Sequence, residues 1–250
     1  MDLKLLKKRT LITGSSSGIG KSIAKIFDAE GCIIALNGRN ANKLNSASKE
    51  FNNPLICQGD MENQSEADRV VKKCFDKLGG LDILICNIGS GQSVPPGKED
   101  FNEWQKIFSI NLWSATNTIE AAKPFLKKTN GVIVCISSIC GVATIKNAPT
   151  TYTVAKSALN SYVKSVSLSL AKDGIRINAI APGNIYFKGS VWDEKQKKDP
   201  EKVKKYIDQN VPLKTFGFPE DIANLALYLS SPLSKFSTGS IWTMDGGQTA

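Results

Sequence analysis

Short apolar runs alternate with amphipathic stretches along the whole chain. The runs are four to six residues long and rich in Val, Ile and Leu, as is typical of strands buried on both faces of a parallel sheet. No linker or repeat interrupts the alternation, which predicts an α/β fold with one doubly wound domain over residues 1–250 and a mainly parallel sheet flanked by helices on both faces. Strands are predicted at residues 10–13, 32–36, 55–58, 81–86, 132–136, 175–180 and 240–244, and helices at 21–30, 41–51, 62–78, 101–122, 150–171 and 220–229.

The first strand leads into a glycine-rich turn that points to dinucleotide binding. Three glycines between a strand and a helix allow a tight turn and close backbone approach to a phosphate, and the helix N-terminus then offers free N–H groups to a pyrophosphate. The spacing is one residue longer at its first step than the Rossmann fingerprint Gly-x-Gly-x-x-Gly. The turn residues predicted to bind a cofactor in this Rossmann-type domain are Gly14, Ser16, Ser17, Gly18, Ile19 and Gly20.

Arg39 follows the second strand, where a Rossmann unit meets the adenosine ribose. An acidic residue there accepts from the ribose 2′-hydroxyl of NAD, whereas an arginine pairs with the 2′-phosphate of NADP. No carboxylate lies between Leu36 and Leu44. The sequence therefore favours NADP(H) and leaves NAD(H) possible.

Tyr152 and Lys156 lie one turn apart on the same face of a predicted helix. A nearby ammonium favours the phenolate and is expected to lower the tyrosine pKa toward the working range, so that Tyr152 can exchange a proton with an alcohol or carbonyl. Ser138 follows the fifth strand, at the carboxyl edge where open α/β sheets bind ligands, and could hold the same substrate oxygen.

Composition narrows the chemistry. The chain has no histidine and six cysteines without Cys-x-x-Cys spacing, which argues against a zinc or other metal site and leaves acid–base work to Tyr, Lys, Asp, Glu or Cys. No apolar run approaches the roughly 18 residues of a membrane span, and the charged N-terminus is unlike a signal peptide. We expect a cytoplasmic protein with no membrane partner. The net charge of +9 is scattered over predicted helix faces, so no nucleic-acid partner is expected either.

Residues 188–210 depart from the composition of the rest, because lysines and carboxylates dominate and apolar residues are sparse. This change predicts a substrate lid at about residues 184–212. An ordinary surface helix would have the same composition, so both interpretations remain open.

Taken together, the motifs resemble the short-chain dehydrogenase/reductase family, in the branch similar to 3-oxoacyl-[acyl-carrier-protein] reductases and their sugar- or polyol-acting relatives. The resemblance covers essentially the whole chain. It is carried by Thr13-Gly14-x-x-x-Gly18-x-Gly20, Asn87-x-Gly89, Asn111, Ser138, Tyr152-x-x-x-Lys156, Asn178 and Pro182-Gly183.

The resemblance implies hydride transfer between a nicotinamide and a keto or hydroxyl carbon. Tyr152 would be the general acid in reduction or the base in oxidation, and Lys156 would tune it and hold the nicotinamide ribose. Ser138 would polarise the substrate oxygen, and Asn111 would anchor a water that links Lys156 to solvent. The further cofactor-binding residues that it implies are Asp60 at the adenine, Met61, Asn87 at the adenosine ribose, Gly89, Pro182, Gly183 and Ile185.

Three positions depart from the family pattern. Ile88 replaces the usual alanine between Asn87 and Gly89 and is expected to crowd the cofactor. The threonine common after Pro182-Gly183 is absent, so its carboxamide contact must come from backbone or from another side chain such as Ser190. Ser17 stands where many NADP-preferring relatives carry a basic residue, which leaves Arg39 to select NADP.

The resulting hypothesis is an NAD(P)-dependent oxidoreductase acting on a small keto-acyl, sugar or polyol substrate. The alternative is a catalytically silent relative that binds the dinucleotide as a sensor or scaffold. Family members commonly form homotetramers, so a homotetramer or homodimer is expected, with the apolar faces of residues 104–119 and 159–170 as candidate contacts.

Overall fold

A seven-stranded sheet forms the centre of the computed structural model, which describes residues 2–250. The strand order is β3-β2-β1-β4-β5-β6-β7, and every neighbouring pair is parallel. This confirms the predicted doubly wound α/β fold. The strands are β1 (Arg9–Ile12), β2 (Ile33–Gly38), β3 (Leu55–Gln58), β4 (Ile83–Cys86), β5 (Val132–Ile136), β6 (Arg176–Pro182) and β7 (Ile241–Met244).

Helices cover both faces of the sheet and separate its buried side chains into two apolar clusters. One cluster contains Leu84, Cys135 and Leu159, and the other contains Ile12, Ile85 and Ile222. Every residue of β5 is buried, as a central parallel strand requires. The helices are α1 (Gly18–Ala29), α2 (Ala41–Ser48), α3 (Gln64–Leu78), α4 (Phe101–Phe108), α5 (Ser114–Leu126), α6 (Thr150–Lys172), α7 (Val191–Lys198), α8 (Pro200–Asn210) and α9 (Pro219–Ser230).

The order of the strands reverses between β1 and β4. The chain leaves β1 toward β2 and β3 on one side, and returns to β4 on the other. Ligands of open α/β sheets bind at such a switch point, beyond the carboxyl ends of the strands. The glycine turn after β1 and the residues that follow β4 and β5 all lie at this edge.

The predicted long helix over residues 101–122 is interrupted. α4 passes into a single π-helical segment, Ser109–Trp113, before α5 begins, and a 3₁₀ turn extends the helix to Thr129. Asn111 lies inside the π segment. Such bulges occur frequently at functional sites, because the widened turn re-aims a side chain.

Residues 184–212, which we call the lid segment, contain two short helices rather than one. Ser190 caps α7 by accepting from Asp193 N at 3.1 Å, and Asp199 caps α8 by accepting from Lys202 N at 3.0 Å. Pro200 starts α8 at a position where proline is favoured. Among residues 2–250, no helix is both long and apolar enough to cross a bilayer.

Candidate active site

The glycine turn is held against the end of β4 by Asn87. The Asn87 side-chain amide donates to the carbonyls of Thr13 and Gly14 at 3.1 and 3.2 Å, while its backbone N–H donates to the Thr13 hydroxyl at 2.9 Å. A Cβ on Gly14, where φ is +63°, would lie 3.0 Å from that amide. The turn therefore needs glycine at this position, and it leads directly into the N-terminus of α1.

The corner after β2 is more acidic than the sequence of that strand suggested. The Arg39 guanidinium pairs with Glu62 at 2.9 Å and with Asp60 at 3.6 Å, and its side chain is 60% exposed. Both carboxylates follow β3, the neighbouring strand. Gln58 and Arg69 complete a cavity of about 330 Å³ at this corner, which is large enough for an adenine or a phosphate.

Asn111 is fixed by the loop after β4. Its side-chain oxygen accepts from the backbone N–H of Ser90 at 3.0 Å, and its amide donates to the carbonyls of Ser90 at 3.0 Å and Ile107 at 3.1 Å. A Cβ on Gly89 would lie 2.9 Å from both the Asn111 oxygen and the Lys156 Nζ. Gly89 is thus the position that lets Asn111 and Lys156 come together.

Lys156 is almost fully buried, with 2% exposure, and its Nζ donates to the Ile136 carbonyl at the end of β5 at 2.9 Å. Burial lowers the pKa of Lys156 to about 8. The helix that carries it lies close to the loop after β5, since a Cβ on Gly141 would lie 2.7 Å from the Lys156 carbonyl. The amine is therefore held rigidly at the carboxyl edge.

Tyr152 is half-buried beside Ser138. Burial raises its pKa to about 12, and a hydrogen bond with the Ser138 side chain partly offsets that rise. The Lys156 Nζ lies 6.0 Å from the centre of the tyrosine ring. The expectation that Lys156 lowers the Tyr152 pKa is not met in this structure, because loss of hydration dominates. A protonated hydroxyl beside a serine hydroxyl is suited to donating a proton to a carbonyl oxygen.

The start of α6 is tied to the loop after β4. The Ser93 hydroxyl donates to Glu103 at 2.8 Å and shares a 2.7 Å hydrogen bond with the Thr151 hydroxyl. Thr151 is buried and immediately precedes Tyr152. This connection fixes the backbone from which the tyrosine projects.

The loop after β6 carries an aromatic ring where the family pattern has a threonine. The Phe187 ring packs on Gly18, since a Cβ there would lie 2.6 Å from the ring. Ile185 is buried and pairs through its backbone with Gly217. Ser190 caps α7, so its hydroxyl is already engaged. Met61 is buried beneath the corner after β3, whereas Ser16, Ser17 and Ile19 remain at least partly exposed along the turn.

The structure brings the predicted residues of the turn, the strand ends and α6 to one edge, and it adds Glu62 and Cys140, to which the sequence assigned no role. Glu62 binds Arg39, and Phe187 covers the turn. The Cys140 backbone N–H donates to the Ser138 hydroxyl at 3.2 Å, and burial raises the pKa of the Cys140 thiol. Cys140 is also the one cysteine among the six that is not fully buried. The serine-to-glycine spacing after β5 was the only signal that could have marked it.

This arrangement fits a nicotinamide dinucleotide. A glycine turn at a helix N-terminus suits a pyrophosphate, and the corner cavity suits the adenosine end. A serine, a tyrosine and a lysine then lie at the carboxyl edge where the nicotinamide end would extend. Fold and site together define a Rossmann-type oxidoreductase.

Comparison with known proteins identifies the family. A family model described as "Enoyl-(Acyl carrier protein) reductase" matches residues 14–249. The 3-oxoacyl-[acyl-carrier-protein] reductase of Rickettsia prowazekii is 33% identical over 249 residues, which is 98% of this chain and 98% of the relative. The chain therefore belongs to the short-chain dehydrogenase/reductase family.

Two solved structures agree over nearly the whole length. The L-sorbose reductase from Gluconobacter frateurii, complexed with NADPH and L-sorbose, has a TM-score of 0.91 at 31% identity, covering 100% of both chains. A 7α-hydroxysteroid dehydrogenase complexed with NADH and 7-oxo glycochenodeoxycholic acid has a TM-score of 0.90 at 29% identity, covering 98% of this chain and 96% of the other. These similarities support an oxidoreductase rather than a catalytically silent binding protein.

Proposed function

We propose that this protein is an NADPH-dependent reductase of a small keto compound, with Tyr152 as the general acid. The observation that carries the proposal is the buried Lys156 amine 6.0 Å from the centre of the Tyr152 ring, at the edge that also holds Ser138 and the glycine turn. The raised pKa of Tyr152, about 12, keeps its proton in place at neutral pH.

The cofactor would lie along the carboxyl edge of the sheet. Gly14, Gly18 and Gly20 would present backbone N–H groups to its pyrophosphate, and Asn87 and Gly89 would line its middle. Pro182, Gly183 and Ile185 would line the nicotinamide end, with backbone groups replacing the missing threonine. When bound, the nicotinamide supplies the hydride for the substrate carbon.

Side chains of this protein would orient and protonate the substrate oxygen. Ser138 would orient the carbonyl by donating a hydrogen bond, and Tyr152 would transfer its hydroxyl proton as charge develops on that oxygen. Lys156 would hold a ribose hydroxyl and stabilise the tyrosinate that remains. Asn111 would serve as a positioning residue, because its side chain fixes the Ser90 backbone beside Gly89.

The preference for NADPH rests on Arg39, and two carboxylates compete for it. A 2′-phosphate would have to draw the guanidinium away from Glu62 and Asp60. The relatives are consistent with NADPH, since the L-sorbose reductase structure contains it, although the 7α-hydroxysteroid dehydrogenase structure contains NADH. Arg39 is more than half exposed, so re-pairing costs little.

Nicotinamide fluorescence titrations at low salt test this preference. We expect wild type to bind NADPH more tightly than NADH, and Arg39→Gln to weaken NADPH about tenfold while leaving NADH unchanged. Glu62→Gln should strengthen NADPH a few-fold, because it removes a competing carboxylate. Equal affinity of wild type for both cofactors would overturn the assignment of Arg39.

The substrate class follows the relatives, whose names point to keto-acyl and keto-sugar compounds. The lid segment would close over such a substrate. We further propose that the protein acts in the cytoplasm, where its six free thiols would stay reduced, and that it forms a homotetramer or homodimer. Trp113 and Leu168, which are 47% and 76% exposed, lie on or next to the helix faces predicted to make that contact. Light scattering would give the number of subunits.

A further inference from the structure

Two hydrogen bonds connect Glu103 on α4 with the residue next to Tyr152. The Ser93 hydroxyl donates to the Glu103 carboxylate at 2.8 Å and lies 2.7 Å from the Thr151 hydroxyl. Ser93 has one hydroxyl proton, and an ionised carboxylate can only accept, so the Thr151 hydroxyl must donate to Ser93. The connection, which we call the Ser93 bridge, therefore runs from Thr151 through Ser93 to Glu103, and Tyr152 is the next residue along α6.

The Glu103 carboxylate is suited to anchor this bridge. Its side chain is 13% exposed, and the hydrogen bond from Ser93, together with Lys106 at 3.2 Å, holds its pKa below the ordinary value of a glutamate. The carboxylate is therefore ionised at neutral pH, and a hydrogen bond to an ionised acceptor is stronger than one between neutral groups. The Lys106 side chain is exposed, so its own pair with Glu103 is expected to contribute little.

The first turn of α6 receives this support from outside the helix. Its N-cap residue, Pro149, makes no side-chain capping bond, and the first turn holds no acidic residue. A negative charge near a helix N-terminus is stabilising, because the free N–H groups there carry partial positive charge. Glu103 supplies such a charge through Ser93 and Thr151, at the turn from which Tyr152 projects.

The loop after β4 also packs on the Tyr152 ring, and it is held on both sides of that contact. On one side Asn111 fixes the backbone of Ser90 through two hydrogen bonds of 3.0 Å, and on the other side the bridge fixes Ser93. Between them the backbone of Gly91 lies close to the ring, since a Cβ there would be 3.8 Å from it. Loss of the bridge would free both the helix turn that carries Tyr152 and the loop that packs on its ring.

We propose that Glu103 is a positioning residue of the reductase, which through Ser93 and Thr151 fixes the Tyr152 hydroxyl where it can protonate the substrate oxygen. The inference rests on the proposed function, in which Tyr152 is the general acid, and it adds a residue that acts through its neighbours rather than on the substrate. Small misplacements of an acid are costly, because proton transfer requires hydrogen-bond reach and alignment. Breaking the bridge should therefore slow turnover without weakening NADPH binding.

Variants at both ends of the bridge test the proposal, with NADPH oxidation followed on L-sorbose or ethyl acetoacetate, whichever wild type reduces faster. We expect Glu103→Ala to lower kcat about 10- to 100-fold, with the NADPH dissociation constant within about twofold of wild type. Glu103→Gln keeps an acceptor oxygen and should recover kcat to within about threefold of wild type. Ser93→Ala should lower kcat as much as Glu103→Ala, and the double variant should lose no more, because both changes break one bridge.

Lys106→Gln is the matched control for these variants. It removes the exposed partner of the same carboxylate and leaves the bond from Ser93 in place, so kcat should stay within about twofold of wild type. Wild-type kcat in Glu103→Ala, or an equal loss of kcat and of NADPH affinity, would overturn the role of Glu103 and leave the reductase function in place.

Hydrogen exchange of the free protein separates failure of this inference from failure of the proposed function. Amide exchange over residues 150–158, followed by mass spectrometry, reports opening of the first turns of α6 and needs no substrate. We expect exchange there to be about tenfold faster in Glu103→Ala and unchanged in Lys106→Gln. If wild type reduces neither compound, the reductase function fails, and faster exchange in Glu103→Ala alone still supports the bridge. Unchanged exchange in Glu103→Ala would overturn the bridge whatever the activity.

Discussion

The carboxyl edge of the sheet, which we call the cofactor edge, and the lid segment are held together by different kinds of contact. At the cofactor edge the contacts are made by backbone groups and small side chains, and glycines stand where a Cβ would collide with Asn87, Lys156 or Phe187. In the lid segment, side chains contact side chains: Tyr186, Trp192 and Tyr206 cluster with Phe216, which lies just beyond the segment, and the ring centres of contacting pairs are 5.2 to 5.5 Å apart. Asp193 ties this cluster to Gly189 and Lys197.

This difference separates the recognition of the cofactor, which is general to the fold, from the recognition of the substrate, which is particular to this chain. A pyrophosphate is recognised by N–H groups that any sequence supplies, provided the turn is tight enough. A substrate is recognised by the identity of the side chains around it, which under the proposed function would come largely from the lid segment. If the two regions are energetically independent, variants of the cofactor edge should change NADPH affinity, and variants of the lid segment should change the KM for the keto substrate.

The largest expected effect belongs to Tyr152, the proposed general acid. Tyr152→Phe removes the hydroxyl that contacts Ser138 and keeps the ring, so turnover should fall by about 10² to 10⁴-fold. The dissociation constant for NADPH should change less than about threefold, because the cofactor edge is intact. Steady-state NADPH oxidation measures turnover, and fluorescence titration measures the dissociation constant. Residual turnover within tenfold of wild type would rule out Tyr152 as the acid.

Gly89→Ala should have the next largest effect and should act on the cofactor edge alone. Its Cβ would lie 2.9 Å from the Lys156 Nζ and the Asn111 oxygen, so the flexible lysine end must shift. We expect about a tenfold loss of kcat and of NADPH affinity, with a melting temperature within a few degrees of wild type.

Gly91→Ala is the matched control for that variant. Its Cβ would meet only the Tyr152 ring, at an ordinary 3.8 Å. It should therefore leave kcat within about twofold of wild type. Equal losses in both alanine variants would show that the loop tolerates no side chain at all, and would remove the argument for a specific contact at Gly89.

The two regions also differ in how far the sequence predicts them. The strand–turn–helix pattern around Gly14 and the strand ends at Ser138 and Gly183 were predictable, because a period of hydrophobicity and the positions of glycines determine them. Strands β3 and β5 match their predicted bounds, Leu55–Gln58 and Val132–Ile136. Local sequence patterns are therefore enough to predict those parts of the site that are formed by backbone geometry.

What the sequence could not predict depends on contacts between distant residues. Glu62 reaches Arg39 from the neighbouring strand, and no local pattern records that pair. The π segment lies in a stretch that has ordinary helical periodicity, and its Asn111 is bonded to Ser90, a residue of the distant loop after β4. The pKa of Tyr152 rises because of burial, which depends on the whole fold rather than on the spacing of two residues.

The smallest expected effect is in the lid and concerns Asp193. Lys197 and the Gly189 N–H hold the pKa of this carboxyl down to about 2, so the group is ionised throughout the working range. Because the pKa is lowered by folding, the stabilisation is present above the ordinary pKa of an aspartate and is lost only as pH falls toward 2. Asp193→Asn keeps the shape but removes the charge at every pH, which should loosen the lid by weakening its bonds to Lys197 and Tyr186.

We therefore expect Asp193→Asn to raise KM for the keto substrate two- to fivefold, with kcat and NADPH affinity within about twofold of wild type. Asp208→Asn on α8 is the control, since its 3.6 Å pair with Lys204 is exposed and should contribute little. Limited proteolysis should cut the lid segment faster in Asp193→Asn than in this control. A fall in NADPH affinity equal to the rise in KM would show that the lid segment and the cofactor edge act as one unit. A change confined to α7 would then have affected cofactor binding at the glycine turn. The contact of Phe187 with Gly18 is the most direct route between them.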